Sequence, residues 1–359
     1  MKKFFQQLRM FILRIFIKSR HREMTEEIVV LEKTESLSNK PIVENSETTL
    51  KQEKDNQLDC PEIRVQTSLS LSKKSYAVGV SMQGRSHIRQ GIPCQDYHKF
   101  EILHDGWYLA IVSDGAGSAK ESARGSKANC ELASKLIKQL IDEKEWIKNE
   151  YFPSEKEWYI ETRNIFEIIQ ALIERKTRQN NDGLEARDFN ATLLLALITP
   201  KGILTAHLGD GRMGYLSQDG TWKSLMTPHK GEEANSTIFI PNEWNRQYKI
   251  PAFRMSDVFI PETFALQENP KVIVLMSDGC ENFTWQCMSY DKDRNFYFDA
   301  NVPFSGFLNP LLDEMNNISD AEDRIKRLVE ILNIGTIGGR REQDDRTFLL
   351  LTFNNHTTI

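Results

Sequence analysis

The hydrophobic pattern divides the 359 residues into three stretches. With about 100° of turn per residue, Phe4, Phe5, Leu8, Phe11, Ile12, Ile15 and Phe16 share one helical face. Lys2, Lys3, Arg9, Arg14, Lys18, Arg20 and Arg22 fall on the other half, so residues 1–22 read as a basic amphipathic helix. Residues 23–72 are rich in Glu, Ser, Thr, Lys, Asn and Gln and read as a flexible linker that buries too little apolar surface to order itself. From residue 73 to 359, apolar runs of strand length and helical spacing follow one another, which marks the folded domain.

Within that domain Tyr76–Met82, Tyr97–Leu103 and Leu109–Val112 read as strands, separated by the turn-rich GRSHIRQGIPCQD. Helical spacing runs from Ala119 to Ile141 and from Glu155 to Arg178. Ala191–Thr199 and Ile203–Leu208 form a hairpin across Pro200-Lys201-Gly202, and Met213–Leu216 continues the meander. Residues 229–266 form a long irregular segment of the kind that serves as a flap or substrate surface. Lys271–Met276 is a buried strand, Ser305–Met315 and Asp320–Leu332 are helical, and Thr347–Phe353 is the last strand. Many strands and two helix pairs make the fold class α+β.

Composition adds little and excludes some classes. The chain is 27% charged and 40% hydrophobic, with net charge −5, which disfavours nucleic acid as the main partner. Five scattered cysteines with no CxxC pair disfavour a disulfide framework or a zinc knuckle and suit a reducing cytoplasm. Arg9, Arg14 and Lys18 interrupt residues 1–22, so that helix does not span a membrane. Two readings of it stand side by side: an anionic membrane surface, peripheral on the inner face, or docking on protein.

The chemistry lies at strand ends. Asp96, Asp114, Asp278 and Asp344 each abut an apolar strand, so each can point from one end of a sheet into a shared cleft. Converging carboxylates repel unless hard cations lie between them, and oxygen-only ligands suit Mg²⁺ or Mn²⁺. Taken singly, these features have plainer readings. A Ser-Asp-Gly after a strand is a common turn, Asp344-Asp345 suits a solvated loop, and Asp210 in LGDGR caps a turn between strands. Arg85, His87 and Arg89 are phosphate-binding candidates that, as lone surface basic residues, would bind water.

The ordered set resembles the metal-dependent protein serine/threonine phosphatases of type 2C (PPM), in the bacterial branch with a GxSHxxxGxPCQD opening. The matching positions are Gly84, Ser86, His87, Gly91, Pro93, Cys94, Gln95 and Asp96, followed by SDGAGSA at Asp114, Ala191-Thr192, LGDGR, GEEANSTIF from Gly231, VLMSDG at Asp278 and QDDRT at Asp344. The resemblance covers roughly residues 76–355. It implies a four-layer α-β-β-α sandwich of two antiparallel sheets flanked by helices. It implies two Mn²⁺ or Mg²⁺ ions held by Asp96, Asp114, the Gly115 carbonyl, Asp278 and Asp344, with Asp114, Asp278 and Asp344 catalytic. A third ion at Asp182 or Asp188 belongs to the same expectation. It implies hydrolysis of phosphoserine or phosphothreonine in a phosphoprotein by a metal-bridging hydroxide, in signalling opposite a cognate serine/threonine kinase.

Three departures stand out. Gln95 replaces the usual Glu, the family's phosphate-binding Arg falls at Gly91, and Ala116 stands where many members carry His. These keep open a pseudophosphatase that binds phosphoproteins or a kinase without hydrolysis, and the N-terminal helix keeps open a membrane-surface adaptor.

Overall fold

The computed structural model describes residues 61–72, 75–180, 182–230, 237–240, 261–292 and 295–353. The basic helix expected over residues 1–22 and most of the expected flap, residues 231–236 and 241–260, lie outside the described residues. In chain order the elements begin with β1 (Ile63–Ser72), β2 (Ser75–Met82), α1 (Arg85–Gln90), β3 (Tyr97–His104) and β4 (Trp107–Ser113). Two long helices follow, α2 (Ser122–Glu143) and α3 (Glu155–Asn180), then β5 (Leu193–Thr199), β6 (Gly202–Leu208), β7 (Arg212–Leu216), β8 (Trp222–Ser224), β9 (Glu262–Leu266) and β10 (Val272–Met276). The chain continues through α4 (Glu281–Thr284), β11 (Ser289–Asp291), β12 (Phe296–Phe298), α5 (Ser305–Asn317), α6 (Ala321–Glu330), α7 (Ile337–Arg341) and β13 (Arg346–Thr352).

Two antiparallel sheets carry the fold, one ordered β1-β2-β13-β10-β7-β8 and the other β3-β4-β5-β6-β9. Alternation along the strands decides which layer each side chain enters. Ala77, Leu349, Leu351, Ile273 and Leu275 meet Ala110, Val112, Leu194 and Ala196 of the other sheet in one buried cluster between the sheets. Their neighbours Val78, Val80, Phe348, Leu350 and Val274 face outward onto Phe307, Leu308, Leu311 and Leu328 of α5 and α6. On the far side α2 packs on β3 and β4, and α3 on β6 and β9. This is the four-layer α-β-β-α arrangement. The central strands are buried on both faces, which is why they read as unbroken apolar runs. Each such Leu, Ile or Val contributes about 1.5–3 kcal/mol by burial, and that surplus lets one end of the sandwich hold buried charge.

The structure corrects several expectations. The strand β1 lies in the last part of the stretch read as linker, before residue 73. The β1 strand adds to the edge of its sheet by pairing along β2, from Ile63 opposite Met82 to Ser72 opposite Ser75. Its Arg64 reaches the Asp96 carbonyl (2.9 Å) and stacks over the Tyr97 ring (5.2 Å), so β1 braces the loop that presents Asp96. The turn-rich GRSHIRQ holds a six-residue helix, α1, closed by Gly91 at φ 66°. The irregular segment 229–266 ends in strand β9, and a short aromatic hairpin, β11–β12, appears where no strand was expected. The four described cysteines are free thiols.

Candidate metal centre

The register of the strands brings the acids to one end. Tyr97 at the start of β3 pairs with Ser113 at the end of β4, so Asp96 and Asp114 leave their sheet side by side. Met276 at the end of β10 pairs with Phe348 of β13 and Arg212 of β7, which sets Asp278, Asp344 and Asp210 at the matching edge of the other sheet. The Ser277 hydroxyl closes the gap by donating to Asp96 Oδ2 at 2.7 Å, while itself accepting from the Thr347 amide at 2.9 Å.

Backbone contacts hold each turn. The Asp114 amide donates to Thr192 Oγ1 (2.9 Å) and its carbonyl accepts from the Thr192 amide (2.8 Å). A Cβ on Gly115 would lie 2.7 Å from the Gln95 carbonyl oxygen, so only glycine lets the chain pass there. A Cβ on Gly279 would lie 1.9 Å from the Asp345 carbonyl oxygen, which ties the Asp278 turn to the Asp344 turn. Asp345 is not a solvated loop residue: it is 3% exposed. Its Oδ1 accepts from the Gly84 amide (2.6 Å) and bonds His87 Nδ1 (2.8 Å), and its Oδ2 accepts from the Gln95 amide (2.5 Å). Asp345 is thus the clasp that fixes residues 84–96 against β13.

The electrostatics are those of carboxylates crowded without enough cations. Burial, then Asp345, pushes Asp96 well above the usual carboxylate range. Burial, then Asp96 and Asp278, does the same to Asp114, whose carboxyl group touches that of Asp278. Partial desolvation raises the half-buried Asp278 as well, and desolvation with the Asp278 charge pushes Asp344, though its residue is exposed at the rim, up to about 6. Asp278 Oδ1 is buried and has no hydrogen-bond partner. Gln95 Oε1, beside Asp96, is buried and unpartnered too. Unpaired oxygens among repelling acids fit a hard divalent cation, and they fit little else.

Asp210 joins this group. It is 6% exposed and pushed up to about 8 by burial, then by Asp278 and Glu281. Its own turn offers a complete local explanation, so the sequence carried no separate signal. Asp182 and Asp188 lie between α3 and β5, and Asp188 Oδ1 is 3.9 Å from Lys120 Nζ. Asp182 Oδ1 accepts from the Leu184 amide (3.1 Å), Asp188 Oδ2 accepts from the Glu185 amide (2.8 Å), and neither is among the main charges felt by the four acids. Of the basic candidates, His87 is held on Asp345 and lowers Asp344. Arg85 donates to the Asn333 carbonyl (3.3 Å) and side chain (3.2 Å), and Arg89 donates to Gln343 Oε1 (2.6 Å) on the exposed rim.

Among the described residues, the trio whose ligand atoms all lie within 4.8 Å of one another is elsewhere: His207, His229 and Glu262. Its chemistry is that of a brace. His229 Nδ1 accepts from the Gly209 amide (3.2 Å), which leaves the ring proton on Nε2, the atom that faces Glu262. The two rings stack at 4.5 Å, and His207 Nε2 lies 2.9 Å from the Thr227 carbonyl oxygen. Burial keeps both neutral, with His229 held down at about 4.

The family model described as Protein phosphatase 2C matches residues 83–333. Serine/threonine-protein phosphatase 3 of Escherichia coli (strain K12) is 32% identical over 171 residues, 46% of this chain and 62% of that protein. The matched part of the chain thus spans less than two thirds of that relative's length. Among solved structures, serine/threonine phosphatase Stp1 from Staphylococcus aureus aligns at 16% identity and TM-score 0.45, covering 78% of this chain and 95% of that one. The Mycobacterium tuberculosis serine/threonine phosphatase PstP/Ppp aligns at 13% identity and TM-score 0.44, covering 78% and 98%. With its family match running from just before α1 into the segment after α6, across both sheets, the chain belongs to the protein phosphatase 2C family.

Proposed function

We propose that the chain is a metal-dependent phosphatase that hydrolyses phosphoserine and phosphothreonine in proteins. The observation that carries this reading is a cation-poor group of acids, Asp96 buried, Asp114 and Asp278 half-buried and Asp344 at the exposed rim, with an orphaned carboxylate oxygen on Asp278. These four, the Gly115 carbonyl and Asp210 would hold two or more Mn²⁺ or Mg²⁺ ions. When bound, the ions supply a water acidic enough at neutral pH to attack phosphorus and the positive charge that a transferring phosphoryl group needs.

The chain's own residues orient and exclude. Ser277 aims Asp96 through its hydroxyl, and the Asp345 clasp holds the Gln95 amide so that Asp96 cannot drift from Asp114. Burial pushes the thiols of Cys94, Cys130 and Cys280 far above the thiolate range, which argues against a cysteinyl-phosphate route. Calorimetric titration separates an enzyme from a phosphoprotein- or kinase-binding scaffold. Mn²⁺ binding at or below the millimolar range, together with Mn²⁺-dependent phosphate release from a phosphothreonine peptide, is the expected outcome. Absence of any binding at that level would leave the scaffold.

The partners on this reading are a phosphoprotein and the kinase that opposes the enzyme. No described helix is long and apolar enough to cross a membrane. The basic face of residues 1–22 supports adhesion to an anionic membrane surface. Liposomes with anionic lipid should pellet the full chain and leave a chain lacking residues 1–22 in the supernatant; equal pelleting refutes the assignment.

A further inference from the structure

A phosphate dianion entering a ring of carboxylates is best met by a cation at the mouth of the site. The described cations at this end differ in what they are already doing. Arg212 is 0% exposed and fully engaged: Nε and Nη2 donate to Glu281 Oε2 (3.0 and 2.7 Å), Nη2 reaches Asp299 Oδ2 (2.5 Å), and Nη1 donates to Asn301 Oδ1 (2.9 Å). Arg346 is likewise 0% exposed and donates to the Leu332 and Gly339 carbonyls. Arg85 is turned onto Asn333, and His87 is held by Asp345.

Lys230 is placed differently. Its side chain is 41% exposed, and Nζ lies 2.7 Å from Glu281 Oε1 and 2.9 Å from Oε2. Glu281 follows Asp278 by three residues, at the start of α4. Because Arg212 already neutralises Glu281 from the buried side, Lys230 can leave that carboxylate without stranding a bare charge. The ammonium sits on a flexible four-carbon stem, suited to following a phosphoryl group as a point charge. Its backbone is fixed from behind. His229, the preceding residue, is stacked on His207 and holds the Gly209 amide, one residue from Asp210.

We infer that Lys230 is the side chain that contacts the substrate's phosphoryl group, swinging from Glu281 to the mouth of the acid cluster. This rests on the phosphatase reading above and deepens it. The test uses the full chain with saturating Mn²⁺, p-nitrophenyl phosphate as substrate and inorganic phosphate as competitive inhibitor. Lys230→Met should raise KM and the phosphate inhibition constant about tenfold each while kcat changes less than about threefold, since a charge-assisted contact is removed from ground state and transition state alike. Lys230→Arg should recover most of both. Unchanged KM and inhibition constant in Lys230→Met overturn the assignment, as does a fall in kcat alone. If the wild-type chain hydrolyses nothing, calorimetric titration of inorganic phosphate in millimolar Mg²⁺ decides. Binding lost in Lys230→Met keeps the subsite while the phosphatase reading falls, and no wild-type binding removes both.

Discussion

Asp114→Asn should abolish Mn²⁺-dependent hydrolysis of a phosphothreonine peptide, by about 10³-fold or more, and at the same time make the metal-free protein more stable. The first effect follows from position. Asp114 lies between Asp96, Asp278 and Asp344 in the electrostatics of the site, so losing its charge weakens every ion the cluster would hold. A thousandfold in rate is about 4 kcal/mol of barrier, within what a bound metal supplies to a phosphoryl transfer. The second effect follows from burial. In the metal-free protein the half-buried Asp114 carboxyl lies against Asp278 with other acids close by. An amide of the same shape removes one repelling charge at a cost of no volume, so stability should rise by about 1–3 kcal/mol. The contacts that hold the turn use the Asp114 backbone and Thr192, and the substitution leaves them intact. Thermal melts in chelator and in Mn²⁺ check both halves. Wild type should gain more from Mn²⁺ than the variant, whereas a variant that melts lower in chelator would refute the account of the cluster.

That cluster was legible in the sequence because its local signals are strong. Leu109–Val112 and Lys271–Met276 are apolar runs that stop at Ser-Asp-Gly, and strand register does the rest. The parts that were not legible depend on distant partners. Asp345 reads as a loop residue because its three donors, Gly84, His87 and Gln95, lie some 250 residues away in the chain. Asp210 reads as a turn residue because Asp and Gly make turns wherever they occur, and only the edge formed by β7 and β10 shows it facing Asp278. Lys230 gives no sequence signal, since nothing local pairs it with Glu281. The β1 strand is a different case. Ile63, Val65, Thr67, Leu69 and Leu71 alternate with polar residues, a strand period, but the serines between them match the composition of the linker and hide it. Ile63 and Leu69 remain 39% and 44% exposed, so even the folded strand buries little of what its pattern promises.

The metal-free protein should grow more stable as the pH falls from 8 to about 6.5, and saturating Mg²⁺ should remove that slope. The acids of the centre have native values raised above the unfolded value of 3.8: Asp344 to about 6, Asp210 to about 8, and Asp96 and Asp114 well above the usual range. Below its native value such a group is protonated in the folded protein while the unfolded chain still carries the charge. The native state therefore binds more protons across this window, and stability must fall as pH rises through it. His87, raised by its bond to Asp345, acts in the same direction, because its charge favours the fold and is lost as pH rises. Three buried imidazoles act oppositely. His98, held down at about 3, His229 at about 4, and His207 are neutral in the fold, whereas in the unfolded chain they charge below about 6.5. Their effect grows from about pH 7.5 downward, to about 0.4 kcal/mol each at pH 6.5, so the upper part of the window reports mainly the acids together with His87. Each proton taken up fully across it contributes about 2 kcal/mol, at about 1.4 kcal/mol per pH unit, or about 4 °C in Tm for a domain of this size. Bound Mg²⁺ competes with those protons for the same oxygens, so its stabilisation should be largest at pH 8. Melts that are flat in chelator between pH 8 and 6.5 would mean that the carboxylates are not mutually buried, and the metal centre would lose its physical basis.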